Sequence, residues 1–320
     1  MAVRTSLTKR FDLTYPIVLA PMAMVSGGQL ASSVSNAGGL GLVGGGYGDP
    51  AWLERELKIV SGATHEKWGA GLITWHATSE TVELVLSYHP DVFFLSFGDA
   101  RPFIPLLKDA DCSLVMQVQE VDQAREAKDL GADVIVAQGS EAGGHGSTRA
   151  TLPLVPAIVD AVGPTPVLAA GGIGDGRGLA AALALGAAGA VVGTRFCVSE
   201  ESLMHPLAKE RLVSMTGRET LRTRAFDQVR GYAWPEPYTS RAVRNDFLAR
   251  WHEGDEGLRD DAAERDRYLK AAEKGDFGTA QILAGEVLDL VDRVEPANAI
   301  FERMGREAED WLRSAASFVL

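Results

Sequence analysis

The 320-residue sequence is poor in the residues that mark several classes of protein. Its two cysteines, Cys112 and Cys197, are too few for a disulfide framework and form no metal-ligand pair, so we expect a reducing cytoplasm and no bound metal. Glycine interrupts every apolar run well before the ~20 residues of a membrane span. The first ten residues lack the apolar core of a signal peptide. We therefore expect no membrane partner.

Basic charge is also scarce. Lysine and arginine total 31 against 43 acidic residues, which gives a net charge of −12, and no run of basic residues offsets it. Because nucleic acids and anionic membranes attract basic surfaces, this balance argues against both as partners. The composition, 46% hydrophobic and 23% charged, is that of an ordinary globular protein.

Short apolar segments alternate with helical segments through the first two-thirds of the chain. The apolar segments are continuous rather than alternating, which is typical of parallel strands covered by helices. About eight strand–helix repeats favour a (β/α)8 TIM barrel, with an open doubly wound sheet as the alternative. The predicted strands are 16–22, 40–44, 68–75, 92–97, 113–118, 132–137, 165–170 and 190–193.

The pattern changes near residue 200. We assign residues 1–199 to the barrel, 200–278 to a smaller, mostly helical inserted domain over the barrel mouth, and 279–320 to C-terminal helices that return to the barrel. Apolar residues at helical spacing predict these helices at 280–291 and 297–317. Inside the insertion, Tyr232, Trp234 and Tyr238 are candidates for the roof of a pocket.

A histidine flanked by glycines follows the sixth predicted strand. Gly143, Gly144 and Gly146 surround His145, and such glycines let the backbone approach a ligand closely. The unperturbed pKa of histidine lies near neutrality, so the position suits proton chemistry. The alternative is a plain glycine-rich turn.

Glycines also follow the next two predicted strands. Gly171 and Gly172 come after the seventh, and Gly193 and Thr194 after the eighth. In TIM barrels this is where backbone N–H groups bind phosphate. Rossmann and Walker spacings are absent, so a mononucleotide phosphate is the better prediction.

Four motifs of the sequence belong together. They are Ala20-Pro21-Met22, the segment from Gln138 to His145, residues 170–177 and residues 193–196. As a set they closely resemble the nitronate monooxygenases, FMN-dependent enzymes on a TIM barrel. The related FMN-dependent enoyl-acyl-carrier-protein reductases share the glycine–histidine loop.

The resemblance implies specific roles for individual residues. His145 matches the catalytic histidine. Thr74 and Gln117 lie at strand ends where the family contacts the flavin. The other implied FMN contacts are Ala20, Pro21 and Met22 beside the ring, Gln138, Gly143 and Gly144 around it, and Gly171, Gly172, Gly193 and Thr194 at the phosphate.

The resemblance also implies a reaction, in which FMN and dioxygen convert an alkyl nitronate or nitroalkane into a carbonyl compound and nitrite. One alternative is an NADH- or NADPH-dependent FMN reductase acting on an enoyl thioester or quinone. A second is a non-catalytic flavin- or phosphate-binding barrel. The loop continues as Gly146-Ser-Thr-Arg149, unlike the family's usual continuation, and leaves the substrate subgroup open. The sequence gives no strong sign of an obligate oligomer.

Overall fold

A closed barrel of eight parallel strands forms the centre of the protein, in a computed structural model that describes residues 3–315 and residue 317. The strands are β1 (Ile17–Leu19), β2 (Gly41–Gly46), β3 (Trp68–Ile73), β4 (Val92–Ser96), β5 (Ser113–Val118), β6 (Val134–Gln138), β8 (Val167–Ala170) and β9 (Gly189–Val192). Their order in the sheet is β1, β9, β8, β6, β5, β4, β3 and β2. A parallel bridge between Val18 and Leu40 joins the two end strands and closes the barrel. The TIM barrel prediction is confirmed.

Helices between the strands form the outer layer. Within the described residues, no helix combines the length and hydropathy needed to cross a membrane. The helices of this part are α1 (Ser6–Phe11), α2 (Gly28–Asn36), α3 (Pro50–Ala63), α4 (Ser79–Leu86), α5 (Ile104–Lys108), α6 (Val121–Asp129), α7 (Thr151–Val162), α8 (Gly176–Ala184) and α9 (Thr194–Cys197).

The strands divide their apolar side chains between two cores. In β1, Ile17 and Leu19 join the core between strands and helices, whereas Val18 joins the core inside the barrel. This follows from the alternation of side chains along a strand. Leu7 and Phe11 of α1 also pack into the inner core. Since α1 precedes β1, it fills the amino-terminal end of the barrel, and the carboxyl end is left for a site.

The insertion contains a small antiparallel sheet as well as helices. Strands β10 (Thr220–Thr223) and β11 (Thr239–Val243) pair with each other, and β11 pairs with β7 (Gly144–Gly146). The predicted loop at His145 is therefore an edge strand, with His145 opposite Ser240. Sequence alone missed this sheet because its strands are short and its partners are distant in the chain. The helices are α10 (Pro206–Val213), α11 (Ala225–Arg230), α12 (Asp246–Trp251) and α13 (Ala262–Glu273).

The predicted helix at 280–291 is wrong. This segment is irregular except for a short 3-10 helix, Glu286–Leu290. It lies instead against the His145 loop, where the Glu286 N–H donates to the Glu141 carbonyl. A Cβ on Gly285 would lie 2.6 Å from that same oxygen. The segment therefore bonds to the loops and strands around it instead of forming an α-helix.

The terminal helix α14 (Ala297–Ala315) packs in the outer layer of the barrel. Its Glu307 carboxylate accepts a hydrogen bond from the Gly176 N–H at the start of α8, at 3.0 Å. Phe301 contacts the ring of Tyr15, with centroids 5.7 Å apart. Of the predicted segment 297–317, residue 316 lies outside the described part, as do residues 318–320 of the predicted C-terminal region.

Candidate active site

A cavity of about 430 Å³ opens at the carboxyl end of the barrel. Strand ends form its floor and sides, while the insertion and the segment after α13 form the rest of its wall. The cavity brings together twelve of the thirteen residues that sequence reasoning selected. These are Ala20, Pro21, Met22, Gln117, Gln138, Gly143, Gly144, His145, Gly171, Gly172, Gly193 and Thr194.

Thr74 is the exception, because it does not line the cavity. It is buried just past β3, where its N–H donates to the Ser96 carbonyl at 2.8 Å. Its neighbour Ile73 lines the cavity instead. Consecutive residues of a strand point to opposite sides, so an assignment made from strand position alone is easily displaced by one residue.

His145 is nearly enclosed in the cavity wall, with its side chain 9% exposed. Its Nε2 lies 2.9 Å from Oδ2 of Asp227, whose side chain is 4% exposed. The indole of Trp234 stacks on the imidazole, with centroids 3.4 Å apart and planes within 8° of parallel. Nδ1 makes no hydrogen bond with any described residue. The ring is therefore fixed at Nε2 and on one face, with Nδ1 free.

The loop that carries His145 is held from two sides. Gln138 donates from Nε2 to the His145 carbonyl at 3.0 Å and accepts at Oε1 from Gln119 at 2.8 Å. Arg222 and Arg241 both donate to the Ser140 carbonyl, at 2.9 to 3.2 Å. Burial, with Arg241 nearby, lowers the pKa of Arg222 to about 10, so it remains cationic at neutral pH. These bonds order the backbone on both sides of the histidine.

Two glycine turns in the cavity lining, after β8 and β9, offer unused backbone donors. Within the described residues, the N–H groups of Gly171, Gly172 and Gly193 donate to no acceptor. Gly171 and Gly172 have φ values of 103° and 73°, a region that favours glycine. Thr194 accepts at Oγ1 from the Gly285 N–H at 2.9 Å, which leaves its hydroxyl proton available. Such convergent donors suit a phosphate.

Two glycines of the site are required by chain packing. A Cβ on Gly143 would lie 2.6 Å from the carbonyl carbon of Ala284, and a Cβ on Gly44 would overlap the backbone of Met22. By contrast, a Cβ on Gly144 would meet only a Leu283 methyl at 3.9 Å. The glycines at 143 and 44 therefore fix the cavity wall, whereas Gly144 faces open space.

One thiol lines the cavity. The sulfur of Cys197 lies 3.1 Å from the sulfur of Met22. Burial raises the pKa of the Cys197 thiol to about 12, so it stays protonated and is a poor nucleophile. The cavity chemistry thus centres on His145 rather than on a thiolate.

Aromatic side chains roof the His145 end. Of the three roof candidates, Trp234 lines the cavity, whereas Tyr232 and Tyr238 do not. Trp234 donates from Nε1 to the Tyr47 hydroxyl at 2.9 Å, and Tyr232 stacks on Tyr47 with centroids 4.2 Å apart. Burial raises the pKa of Tyr47, so its phenol stays neutral. Tyr47 and Tyr232 therefore lie outside the cavity lining, where Tyr47 holds Trp234 and Tyr232 packs on Tyr47.

Sequence reasoning missed Asp227 and Tyr47. Asp227 is separated from His145 by 82 positions, and the β7–β11 pairing brings the insertion to the histidine. One signal was present: Asp227 follows Ala225 and Phe226 in a helix where all three are buried. An acidic residue among buried apolar ones indicates a specific polar partner.

Comparison with known proteins identifies relatives in sequence and in overall structure. A nitronate monooxygenase npaC from Metarhizium robertsii is 32% identical to this chain, over 95% of the chain and 92% of that protein. FabK from Thermotoga maritima has a similar structure, with a TM-score of 0.87 and 29% identity over 99% of this chain and 100% of its own. A nitroalkane oxidase from Streptomyces ansochromogenes has a TM-score of 0.82 and 28% identity over 97% and 99%.

The sequence model of the family described as "Nitronate monooxygenase" matches residues 4–79 and 73–306. The two matches together span the barrel, the insertion and the first half of α14. The chain belongs to the nitronate monooxygenase family of flavin-dependent oxidoreductases.

Proposed function

We propose that this enzyme uses FMN and dioxygen to oxidise alkyl nitronates, and the nitroalkanes from which they form, to a carbonyl compound and nitrite. The observation that carries the proposal is His145, which lines the cavity and whose Nδ1 bonds to no described residue, together with unused phosphate-type donors in the same lining. The relatives named for nitronate and nitroalkane oxidation support the same substrate class.

A histidine in the cavity wall could bind an anionic substrate. Among the described residues that line it, none is lysine or arginine, and only His145 and His205 can carry a positive charge. His205 is exposed, whereas His145 is enclosed beside Asp227. A nitronate therefore finds one enclosed cationic donor, the imidazolium of His145, to hold its oxygens.

The residues present fit FMN. The N–H groups of Gly171, Gly172 and Gly193 would hold the phosphate, and the Thr194 hydroxyl would donate a further hydrogen bond. The Gln117 amide lines the cavity and bonds to no other described residue, so it is free for a polar edge of the ring. FMN would supply electron acceptance from the nitronate, which these side chains cannot.

His145 manages the proton through Nδ1. As a neutral imidazole it accepts the α-proton of a nitroalkane, and the electron pair of the broken C–H bond remains on the substrate as the nitronate. As an imidazolium it donates Nδ1–H to a nitronate oxygen. Trp234 and the apolar lining keep bulk water from the reacting carbon. In the balanced reaction, one dioxygen and two nitronates give two carbonyl compounds and two nitrite ions. Each reacting carbon gains one oxygen atom, and its C–N bond breaks with the electron pair leaving on nitrite.

Anaerobic mixing of the yellow protein with propionate 3-nitronate, and separately with NADH, tests the reaction class. We expect the flavin absorbance to change with the nitronate and to stay constant with NADH; admission of air should then release nitrite. Bleaching by NADH with no response to the nitronate would instead favour the reductase alternative. A colourless protein that gains no FMN on titration would indicate the non-catalytic barrel.

A histidine variant tests the site within that reaction. His145→Asn should keep bound FMN and lose turnover of neutral nitroalkanes by about 100-fold or more, the usual contribution of a general base. His252→Asn is a matched control, because His252 is exposed at the end of α12. Unchanged turnover in His145→Asn would remove this residue from the mechanism.

A further inference from the structure

Asp227 is the main polar partner of the His145 ring, and it comes from a different part of the chain. Its Oδ2 lies 2.9 Å from Nε2, and its side chain is 4% exposed. Its other oxygen, Oδ1, has no hydrogen-bond partner, and within the described residues Asp227 forms an ion pair with no lysine or arginine. The only charge partner that the carboxylate contacts directly is therefore the imidazole.

The chemistry of this contact decides which ring nitrogen holds a proton. A carboxylate only accepts hydrogen bonds, so Nε2 must be the donor. In a neutral histidine, a proton on Nε2 leaves Nδ1 as the lone-pair nitrogen. Nδ1 is the nitrogen that bonds to no described residue. Asp227 thus selects the tautomer that has a basic nitrogen free.

The stacked indole of Trp234 fixes the plane of the His145 ring. Trp234 lies 3.4 Å from the imidazole and almost parallel to it, while Nε2 is held at Asp227. A 180° flip of the ring about its Cβ–Cγ bond would keep the stack but put Cε1 in the place of Nε2, and the hydrogen bond to Asp227 would be lost. The tautomer and the ring orientation are therefore set by two residues of the insertion, Asp227 and Trp234.

We infer that Asp227 is a positioning residue that holds His145 as the Nε2–H tautomer, so that Nδ1 gains and loses the proton. In the proton step the substrate C–H bond breaks, its electron pair stays on carbon, and the proton moves to Nδ1. The imidazolium then faces the Asp227 carboxylate through Nε2–H, and the charges of the pair balance. This assignment rests on the proposed function for its substrate but not for its geometry.

Nitrogen-15 NMR of histidine-labelled protein tests the tautomer directly. His145→Gln identifies the His145 signals among the six histidines of the sequence. In the neutral ring of His145 we expect a protonated Nε2 and an unprotonated Nδ1. In Asp227→Asn, whose amide can also donate to Nε2, we expect a shift toward the Nδ1–H form. A wild-type Nδ1–H signal, or a spectrum unchanged by Asp227→Asn, would overturn the inference.

Turnover measurements on an Asp227 variant distinguish a positioning role of Asp227 from a purely structural one. In Asp227→Asn we expect at least a tenfold loss of kcat on a neutral nitroalkane, and a smaller loss on the preformed nitronate, which needs no proton removal. Asp266→Asn is the matched control, since Asp266 is exposed on α13 and pairs only with Lys270. Equal losses on both substrates, or a parallel loss of bound flavin, would contradict a positioning role. If the wild type oxidises neither substrate, the proposed function fails while the NMR result still decides the tautomer.

Discussion

The indole of Trp234 covers one face of the His145 imidazole at a centroid distance of 3.4 Å. Trp234 is itself held by its Nε1–H bond to Tyr47, which stacks on Tyr232. The roof is therefore braced by contacts between the insertion and the loop after β2.

Replacement of the roof should affect chemistry more than folding. We expect Trp234→Leu to lower kcat/KM for nitronates by about 3- to 10-fold, because an aromatic stack contributes about 0.5–1.5 kcal/mol. Trp234→Phe keeps a stacked ring but loses the bond to Tyr47, and should fall between. Steady-state kinetics give the ranking, with bound flavin measured in each variant. If Trp234→Leu is as active as the wild type, the stack has no part in the reaction.

The floor of the cavity depends on a close approach of two backbones. A Cβ at residue 44 would overlap the backbone of Met22, so Gly44→Ala should displace the 20–22 segment and weaken FMN binding by about tenfold or more. Gly62→Ala is the matched control. Gly62 lies in α3 with nothing within 4 Å of a new Cβ, so this change should raise the free energy of unfolding by about 0.5–1 kcal/mol. Fluorescence titration with FMN and thermal unfolding measure the two effects; equal FMN affinity in both variants would contradict this view of the floor.

A buried ion cluster links the barrel to the segment before α14. Arg195 is 1% exposed, and Glu295 pairs with both Arg195 and Arg303. Glu295→Gln leaves Arg195 without its anion, which should lower the free energy of unfolding by about 3–5 kcal/mol at neutral pH. Glu302→Gln, at an exposed pair with Arg306, should change it by less than about 1 kcal/mol.

The pH dependence of this cluster has a definite sign. The hydrogen bond from Arg303 is the main cause that lowers the pKa of Glu295 from 4.5 to about 2. Its contribution to stability is therefore complete above about pH 4.5 and is lost as the pH falls toward 2. In denaturant melts, the difference between wild type and Glu295→Gln should be constant from pH 7 to about 5 and shrink below that. A difference that grows on acidification would refute this assignment.

The barrel was predictable because its eight strands are continuous apolar runs separated by helices. The glycine turns at 171–172 and 193–194 were predictable for the same reason, since they follow directly on those strands. The irregular conformation of residues 280–291, by contrast, was not predictable. Their apolar side chains recur at helical spacing, but Gly285 fits tightly against the Glu141 carbonyl, and that tertiary contact overrides the local pattern.

Asp227 lay beyond sequence reasoning for a different reason. Its relation to His145 depends on the register of β11 against β7, in which Ser240 lies opposite His145. The register of two paired strands is set by side-chain packing and by turn geometry. Two short strands with many polar residues have little hydrophobic pattern from which this register could be predicted. The residue could be suspected from its buried surroundings, but its partner could not be named.

The pairing of β7 with β11 has a consequence for engineering. The barrel carries the glycines proposed to bind phosphate and the histidine, whereas the carboxylate and the indole that contact this histidine come from the insertion. A transplant of the insertion from a relative would therefore replace the histidine's partners and leave the glycine turns untouched. The graft must carry β11 in the same alignment with Gly144–Gly146, since a shift by one residue would displace the grafted carboxylate and indole relative to the imidazole.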